Sequence, residues 1–552
     1  MIAFGLSMLN IPSTCSSDMN WLDGRYDLHN TGYVDGTGGL YAIEESYRLQ
    51  EGRNITTIPV SIDLDGDGVT EVAYPTEGGY LVLRRGVDGG LIDRIAFNGN
   101  IIGPPMVYDH RSDGTVDLLV LVTNANGTTI HLVQGTDLST TEKLVVPDQF
   151  ARGEGSVGDV DGDGQVELVF SVDEGYIYTV DLSDFSIMWT KQLGRDFAGL
   201  FAIYNGSKGP RIAVTSGFYF AQWGDWGCST LFVLNGLNGD IEYSFEGFGA
   251  INTPPTVVRV EPSTWIAFGT VPGNIYVLDV DTNTTILEKD RFAFDKPPYW
   301  RHIDLIKDPG GGVNRLFLFG DRGMAMLRIS DETIVWGEYH KYPISMTDSL
   351  ICDIDDDGNV ESVVLNVSRI ENHSSVLRFI DPWDGKNETF VAGLPKHPVG
   401  MIIADIDDDG SLEILLCFKE WIIFMNEEPY VVVDGILPTN GSVYLKGDPI
   451  EFRVLYTYRD ATRVPIFEWT SDIHGTFGMG AEFISDALNV GHHIINLTID
   501  DQHGHLIVYT LELDVEKDSG NDSDGISPWL FLLIIIIVVA LVGILYWRSR
   551  HR

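Results

Sequence analysis

Four copies of one nine-residue pattern, Asp-x-Asp-x-Asp-Gly-x-x-Glu, begin at Asp63, Asp159, Asp353 and Asp405, and each runs straight into a β-prone apolar stretch ("EVAY", "ELVF", "ESVV", "EILL"). Carboxylates at positions 1, 3 and 5 of a tight loop converge on one point, and glycine at position 6 lets the chain reverse, which is what a hard cation requires. An EF-hand would add a bidentate glutamate at position 12, on a helix. Position 12 of the first copy is Tyr74, and the acid falls at position 9, Glu71. The loop therefore links two strands.

The copies mark a larger period. A weaker one, "YDHRSDGTVDLLV", keeps Asp109, Asp113 and Asp117 but has Arg111 at position 3, so its site is left open. Between 159 and 353 lie degenerate versions starting near 200, 255 and 302, which hold the strand, turn, strand rhythm without the acids. The total is eight units of ~49 residues, each continuing into a second strand pair such as "GYIYTVDLSDFSIMWTKQLG". Four short strands per repeat describe a propeller blade. The eighth unit ends one strand short near "EWIIFMNEEPYVVV", while "GGLYAIEESYRLQEG" offers a spare strand before the first, so the terminal segment is expected to complete the last blade and remove exposed sheet edges. The expected fold is an all-β, eight-bladed β-propeller over 21–432, or a seven-bladed one if a degenerate unit is miscounted.

The loops and blade rhythm resemble the FG-GAP repeats of integrin-α-like propellers, and the tryptophan-bearing strands with the opening "WLDGRYDLHNTGY" resemble pyrroloquinoline-quinone-like propellers. The first resemblance implies calcium between the first and second strands of a blade. The expected metal residues are Asp63, Asp65, Asp67, Val69 and Glu71; Asp159, Asp161, Asp163, Gln165 and Glu167; Asp353, Asp355, Asp357, Asn359 and Glu361; and Asp405, Asp407, Asp409, Ser411 and Glu413. Acids and glycines also make ordinary turns. Four copies identical at positions 1, 3, 5, 6 and 9 favour Ca2+ over that reading, with a structural rather than a signalling role.

The chain carries 80 acids against 36 bases, a net charge of −44, which argues against a nucleic-acid partner. Residues 528–547, "PWLFLLIIIIVVALVGILYW", hold no charge and are long enough to cross a hydrocarbon core of ~30 Å as a helix. Trp529, Tyr546 and Trp547 suit its interfaces, and the basic tail "RSRHR" at 548–552 places the bulk of the chain outside the cell membrane and the tail in the cytoplasm. Residues 1–20 read as an atypical or truncated signal segment. Ten N-x-Ser/Thr sequons (Asn54, Asn126, Asn205, Asn283, Asn366, Asn372, Asn387, Asn440, Asn496, Asn521) agree with an external, glycosylated surface. Cys15, Cys228, Cys352 and Cys417 show neither metal nor redox spacing.

After the propeller, residues 433–516 alternate around Trp469 as a small β-sandwich, and "GDPIEFRV", "WTSDIHG" and "VGHHIINLTIDDQHG" resemble polycystic-kidney-disease-type Ig-like domains, which imply a spacer or adhesive module. His492, His493, His503 and His505 lack the accompanying ligand spacing of a zinc site and read as hairpin residues. Residues 517–527 form an acidic linker. Two functions suit this layout: a surface module binding an extracellular protein or glycan, and an extracellular propeller enzyme, either a polysaccharide lyase or a quinone-dependent dehydrogenase. The dehydrogenase is disfavoured because the chain lacks the adjacent cysteines such enzymes use, and H-E-x-x-H, G-x-S-x-G and phosphate-loop motifs are absent. The aromatic run 218–229, "FYFAQWGDWGCS", could stack on a sugar or pack a loop. A membrane-tethered assembly factor for envelope components is a third reading.

Overall fold

The computed structural model describes residues 33–37, 43–110, 115–194, 199–216, 228–251, 253–271, 273–289, 300–307, 313–339, 346–354, 360–367, 374–407, 412–427, 431–458, 464–500 and 506–517. The chain divides after Glu428 into two compact units, slightly before the boundary read from the sequence. Among the described residues the structure is all-β, apart from one short 3-10 turn at Asp173–Gly175. None of their helices is long and apolar enough to cross a membrane; the span expected at 528–547 lies outside them, as do the signal segment and the aromatic run through residue 227.

The described residues of the first unit form eight sheets of four antiparallel strands, one of them extended by the parallel strand Tyr33–Thr37. Seven take their four strands consecutively from the chain. The first of these is Val60–Ile62, Glu71–Thr76, Tyr80–Arg85 and Leu91–Ala96, and the third is Ser156–Gly158, Glu167–Val172, Tyr176–Asp181 and Ser186–Gln192. The degenerate repeats supply the opening strand pairs of the fourth, fifth and sixth sheets, beginning at Leu200, Thr256 and Trp300. Second strands are buried on both faces, as Glu71–Thr76 and Glu413–Phe418 are along their full length, and therefore read as continuous apolar runs. Fourth strands such as Leu91–Ala96 are mostly exposed.

The eighth sheet is composite. Its first three strands are Pro398–Ala404, Glu413–Phe418 and Trp421–Glu427, and its fourth is Ile43–Gln50, antiparallel to Trp421–Glu427 with Gln50 opposite Trp421. Glu51 extends this junction. Its N–H donates to Glu420 O at 2.8 Å, and its buried carboxylate accepts from Tyr74 Oη (2.6 Å), Arg84 Nη2 (2.6 Å) and Arg94 Nη2 (3.0 Å), one residue from each of the last three strands of the first sheet.

A second device joins neighbouring sheets. Trp189, on the fourth strand of the third sheet, donates Nε1–H to Gly236 O at 2.7 Å across a separation of 47 residues and lies over Gly239, where a Cβ would sit 2.6 Å from its ring. Trp336 on Thr333–Tyr339 does the same to Pro382 O (2.8 Å) and Gly385, where a Cβ would sit 2.5 Å away. At the composite sheet, Tyr47 donates its hydroxyl to Gly86 O (2.8 Å) and covers Gly89. Each covered glycine is the left-handed residue of a turn between third and fourth strands, and only a residue without Cβ admits the ring so close. The matching turns of the second, third, fifth and sixth sheets carry Leu138, Phe185, Asn283 and Glu332 at that position.

The second unit packs two sheets around one core. The three-stranded sheet is Val431–Leu437, Ile450–Tyr458 and Glu482–Ser485; the five-stranded sheet is ordered Ser442–Leu445, Leu506–Glu516, Gly491–Asp500, Ile466–Ser471, Gly475–Met479. Ile450–Tyr458 alternates burial from Ile450, placing Phe452 edge-on to the fully buried Trp469 at 5.3 Å. His493 is buried between Ser471 Oγ (2.7 Å) and Asn489 O (2.6 Å), whereas exposed His492 pairs with Asp514. The pair thus has packing and hydrogen-bond partners; His503 and His505 lie outside the described residues.

Candidate metal centres

Each acidic loop lies between the first and second strands of its sheet, so the first strand delivers position 1 and the second begins at position 9. In the first loop Asp63 acts as the folding hub. Its Oδ1 accepts from the N–H of Gly66 (2.8 Å) and Asp67 (3.1 Å), and its Oδ2 from Gly68 N–H (3.0 Å). Asp159 repeats this with Gly162 (2.6 Å) and Gly164 (3.1 Å). Gly68 has φ +85°, a conformation that side chains with a Cβ rarely adopt, which explains glycine at position 6.

Three carboxylates meet in each of three loops: Asp63, Asp65 and Glu71; Asp159, Asp161 and Glu167; Asp405, Asp407 and Glu413. Within each group, one oxygen per residue lies within 4.8 Å of the others. The converging positions are therefore 1, 3 and 9. Position 5 is not among them: Asp67 Oδ1 accepts from Val69 N–H (2.9 Å) and Asp163 Oδ1 from Gln165 N–H (2.8 Å), which closes the loop onto position 7. In the loop starting at Asp353, residues 355–359 lie outside the described set, as do Asp409 and Ser411 of the last loop. In the weak copy, Asp113 falls outside it too, and buried Asp117 accepts from Gly135 N–H at 3.0 Å.

Sequence reasoning missed what position 9 does besides facing the cluster. Glu71 Oε2 accepts from Leu64 N–H (2.8 Å), Glu167 from Val160 N–H (2.8 Å), Glu361 from Ile354 N–H (3.0 Å) and Glu413 from Ile406 N–H (2.7 Å). One bond, always spanning seven residues, ties position 9 to position 2 in all four loops. The constant spacing was the available signal. The glutamate thus both stiffens the loop and turns its carboxylate towards positions 1 and 3.

Burial, reinforced by the nearby aspartates, pushes Glu71 up to about 7 and Glu167 up to about 8, although each accepts a backbone hydrogen bond that acts the other way. Asp161 is raised as well, chiefly by desolvation. A carboxylate that holds its proton more tightly when folded adds stability at low pH and loses that contribution as pH rises through its folded pKa. The metal-free chain should therefore lose thermal stability between roughly pH 5 and 8, and Glu71→Gln with Glu167→Gln should flatten that dependence in calorimetry. A divalent ion must displace these protons, so its affinity should rise over the same interval. An all-oxygen set of three converging carboxylates has the donor chemistry of a Ca2+ site.

No family model matches the chain, and no curated protein matches its sequence. Among solved structures, the chain is similar to a europium-containing methanol dehydrogenase (TM-score 0.52, 9% identity, covering 74% of this chain and 98% of that one) and to Sqt1 from Saccharomyces cerevisiae (TM-score 0.52, 9% identity, 70% and 99%). Both are β-propeller proteins, and at this identity the likeness shows the fold alone: an all-β propeller built of four-stranded sheets.

Proposed function

We propose that the chain is an extracellular, membrane-anchored, eight-bladed propeller that holds Ca2+ in its strand-to-strand loops as structural ions and presents its loops to an extracellular protein or glycan. The observation that carries the reading is the recurrence of one three-carboxylate cluster in the first, third and eighth sheets. Position 1 is held by backbone N–H groups in the first and third, and position 9 by the position 2 N–H in all three. Asp63, Asp65 and Glu71 and their counterparts would hold the ion, and the ion would supply neutralisation of three crowded carboxylates. Asp67, Val69, Asp163 and Gln165 complete the loops that hold those groups in place. The position 9 acid at Glu361 extends the reading to a fourth site with Asp353, Asp355, Asp357 and Asn359.

The eight-blade count rests on the sheet order and on the composite eighth sheet. The external location rests on the apolar span 528–547, the basic tail and the sequons; among those with described burial, Asn126, Asn205, Asn283 and Asn440 fall on exposed positions and Asn366 on a buried one. The second unit is in this reading a spacer or adhesive module of polycystic-kidney-disease type.

The test is direct. Chelation of the full chain should lower its melting temperature, and Ca2+ at ten times its dissociation constant should restore about 1.4 kcal/mol per filled site. Asp65→Ala should remove one bound ion by calorimetric titration while leaving the others. A melting temperature indifferent to Ca2+ would reject the structural-ion reading. For the binding role, the chain is screened against glycans and envelope proteins with and without Ca2+; turnover of a polysaccharide would replace the binding module with a lyase.

A further inference from the structure

Position 2 of the acidic loops is engaged from both sides. Its N–H is held by the position 9 glutamate, while its carbonyl oxygen lies against a glycine in the turn between third and fourth strands of the next sheet. A Cβ added at Gly135 would stand 2.1 Å from Leu64 O, one at Gly236 1.6 Å from Val160 O, and one at Gly86 2.1 Å from Ile406 O. Such approaches are closed to any residue other than glycine without backbone movement. In each of the three loops the position 2 peptide thus lies in close contact with the following sheet. Two of these glycines, Gly86 and Gly236, also accept the aromatic hydrogen bonds from Tyr47 and Trp189.

The three seams differ in connectivity. The first and second sheets, and the third and fourth, follow one another along the chain. At the eighth-to-first seam the chain passes from Ile43–Gln50 into the first sheet, but the acidic loop lies among residues 398–427, which join Ile43–Gln50 only through a non-covalent ladder inside the eighth sheet. Ile406 reaches Gly86 of the first sheet, while at the ladder inside the eighth sheet Tyr47 stacks on Phe424 at 4.9 Å between centroids, and just beyond it Glu51 and Ile55 donate backbone hydrogen bonds to Glu420 and Lys419. Gly86 is itself fixed by its N–H to Thr70 O at 2.8 Å, at the end of the first acidic loop.

Resting on the calcium reading above, we infer that the ion held by Asp405, Asp407 and Glu413 acts as the clasp of the ring. By fixing the Glu413 carboxylate it holds the Ile406 peptide against Gly86, and so couples occupancy of the eighth-sheet site to pairing of Ile43–Gln50 with Trp421–Glu427. The ion of the third sheet, held by Asp159, Asp161 and Glu167, stiffens a seam that the chain already connects and leaves closure unaffected.

The experiment is hydrogen exchange on the full chain, read by mass spectrometry with Ca2+ or a chelator, alongside direct titration of Ca2+ binding. In the unaltered chain, removing Ca2+ should speed exchange of Ile43–Gln50 and Trp421–Glu427 at least tenfold, with a smaller change at Tyr176–Asp181. Glu413→Gln should show the fast exchange of the closing strand even with Ca2+ present; Glu167→Gln should keep its slow exchange. Ca2+ that binds but changes exchange uniformly, or a Glu167→Gln chain that loosens Ile43–Gln50 as much as Glu413→Gln does, overturns the clasp and leaves the structural ions standing. A chain that binds no Ca2+ at millimolar concentration overturns both. The comparison within the unaltered chain decides the matter even if a variant does not fold.

Discussion

Replacing Glu51 with Ala is expected to destabilise the first unit by ~3–5 kcal/mol, the cost of breaking a buried ion pair and leaving its partner charge without compensation. The side chain of Glu51 is 2% exposed and that of Arg84 12%, so water replaces little of what is lost. Arg94, 47% exposed, recovers its own hydration and contributes less. Tyr74, whose hydroxyl is raised well above its ordinary value mainly by burial, would lose its acceptor at the same time. Denaturant titration of the variant should show the drop, and Glu51→Gln should show a smaller one because the amide oxygen still accepts. Joining Glu51→Leu to Arg84→Met removes both charges and should recover a large part of the loss. A double variant as unstable as the sum of the two single ones would mean that geometry, not charge, holds the junction.

Trp189→Ala carries the second large effect, ~3–5 kcal/mol for deleting a buried tryptophan. It empties the space over Gly239 and leaves Gly236 O without its indole donor. The reciprocal change, Gly239→Ala, should be costly for a different reason: at φ +71° the new methyl is both conformationally strained and set 2.6 Å from the ring. Combining the two is expected to cost less than their sum, because the vacated ring space accepts the methyl. Additive effects in thermal or chemical unfolding would refute the proposed ring-on-glycine contact. Ala at Gly209, which has nothing within 4 Å of a Cβ, is the comparison that isolates backbone strain from ring contact.

These two contacts also show where sequence reading stops. The strand, turn, strand units were legible because their information is local: acids two residues apart, a glycine at position 6, then a β-prone run. Composite closure was legible because a strand was missing at one end and spare at the other. The ring-on-glycine seam was not, since Trp189 and Gly236 stand 47 residues apart and Trp336 and Pro382 stand 46, a separation that acquires meaning only once one repeat is known to lie beside the next. Glu51 gave no signal at all, being one acid in "LQEGRN" whose three side-chain partners come from three strands. At the acidic loops, residue types and spacing marked the segments, but the division of labour inside them came from geometry: position 1 gathers N–H groups, position 5 folds back on its own turn, and position 9 reaches position 2.

Because Ile43–Gln50 pairs with Trp421–Glu427, more than three hundred residues must be synthesised between the two halves of that ladder. At ribosomal speeds of roughly 5–20 residues per second the wait is tens of seconds, long compared with the formation of a local hairpin. Through that interval the early strand is an unsatisfied edge, able to pair with any other open strand. Its sequence, "IEESYRLQ", carries three glutamates counting Glu51 and two arginines counting Arg53 within a short stretch, charges that hinder association with a wrong partner until the right one arrives. Delayed closure thus makes this early strand a customer for chaperones during synthesis, and makes its charge pattern a matter of survival before folding as much as of stability after it.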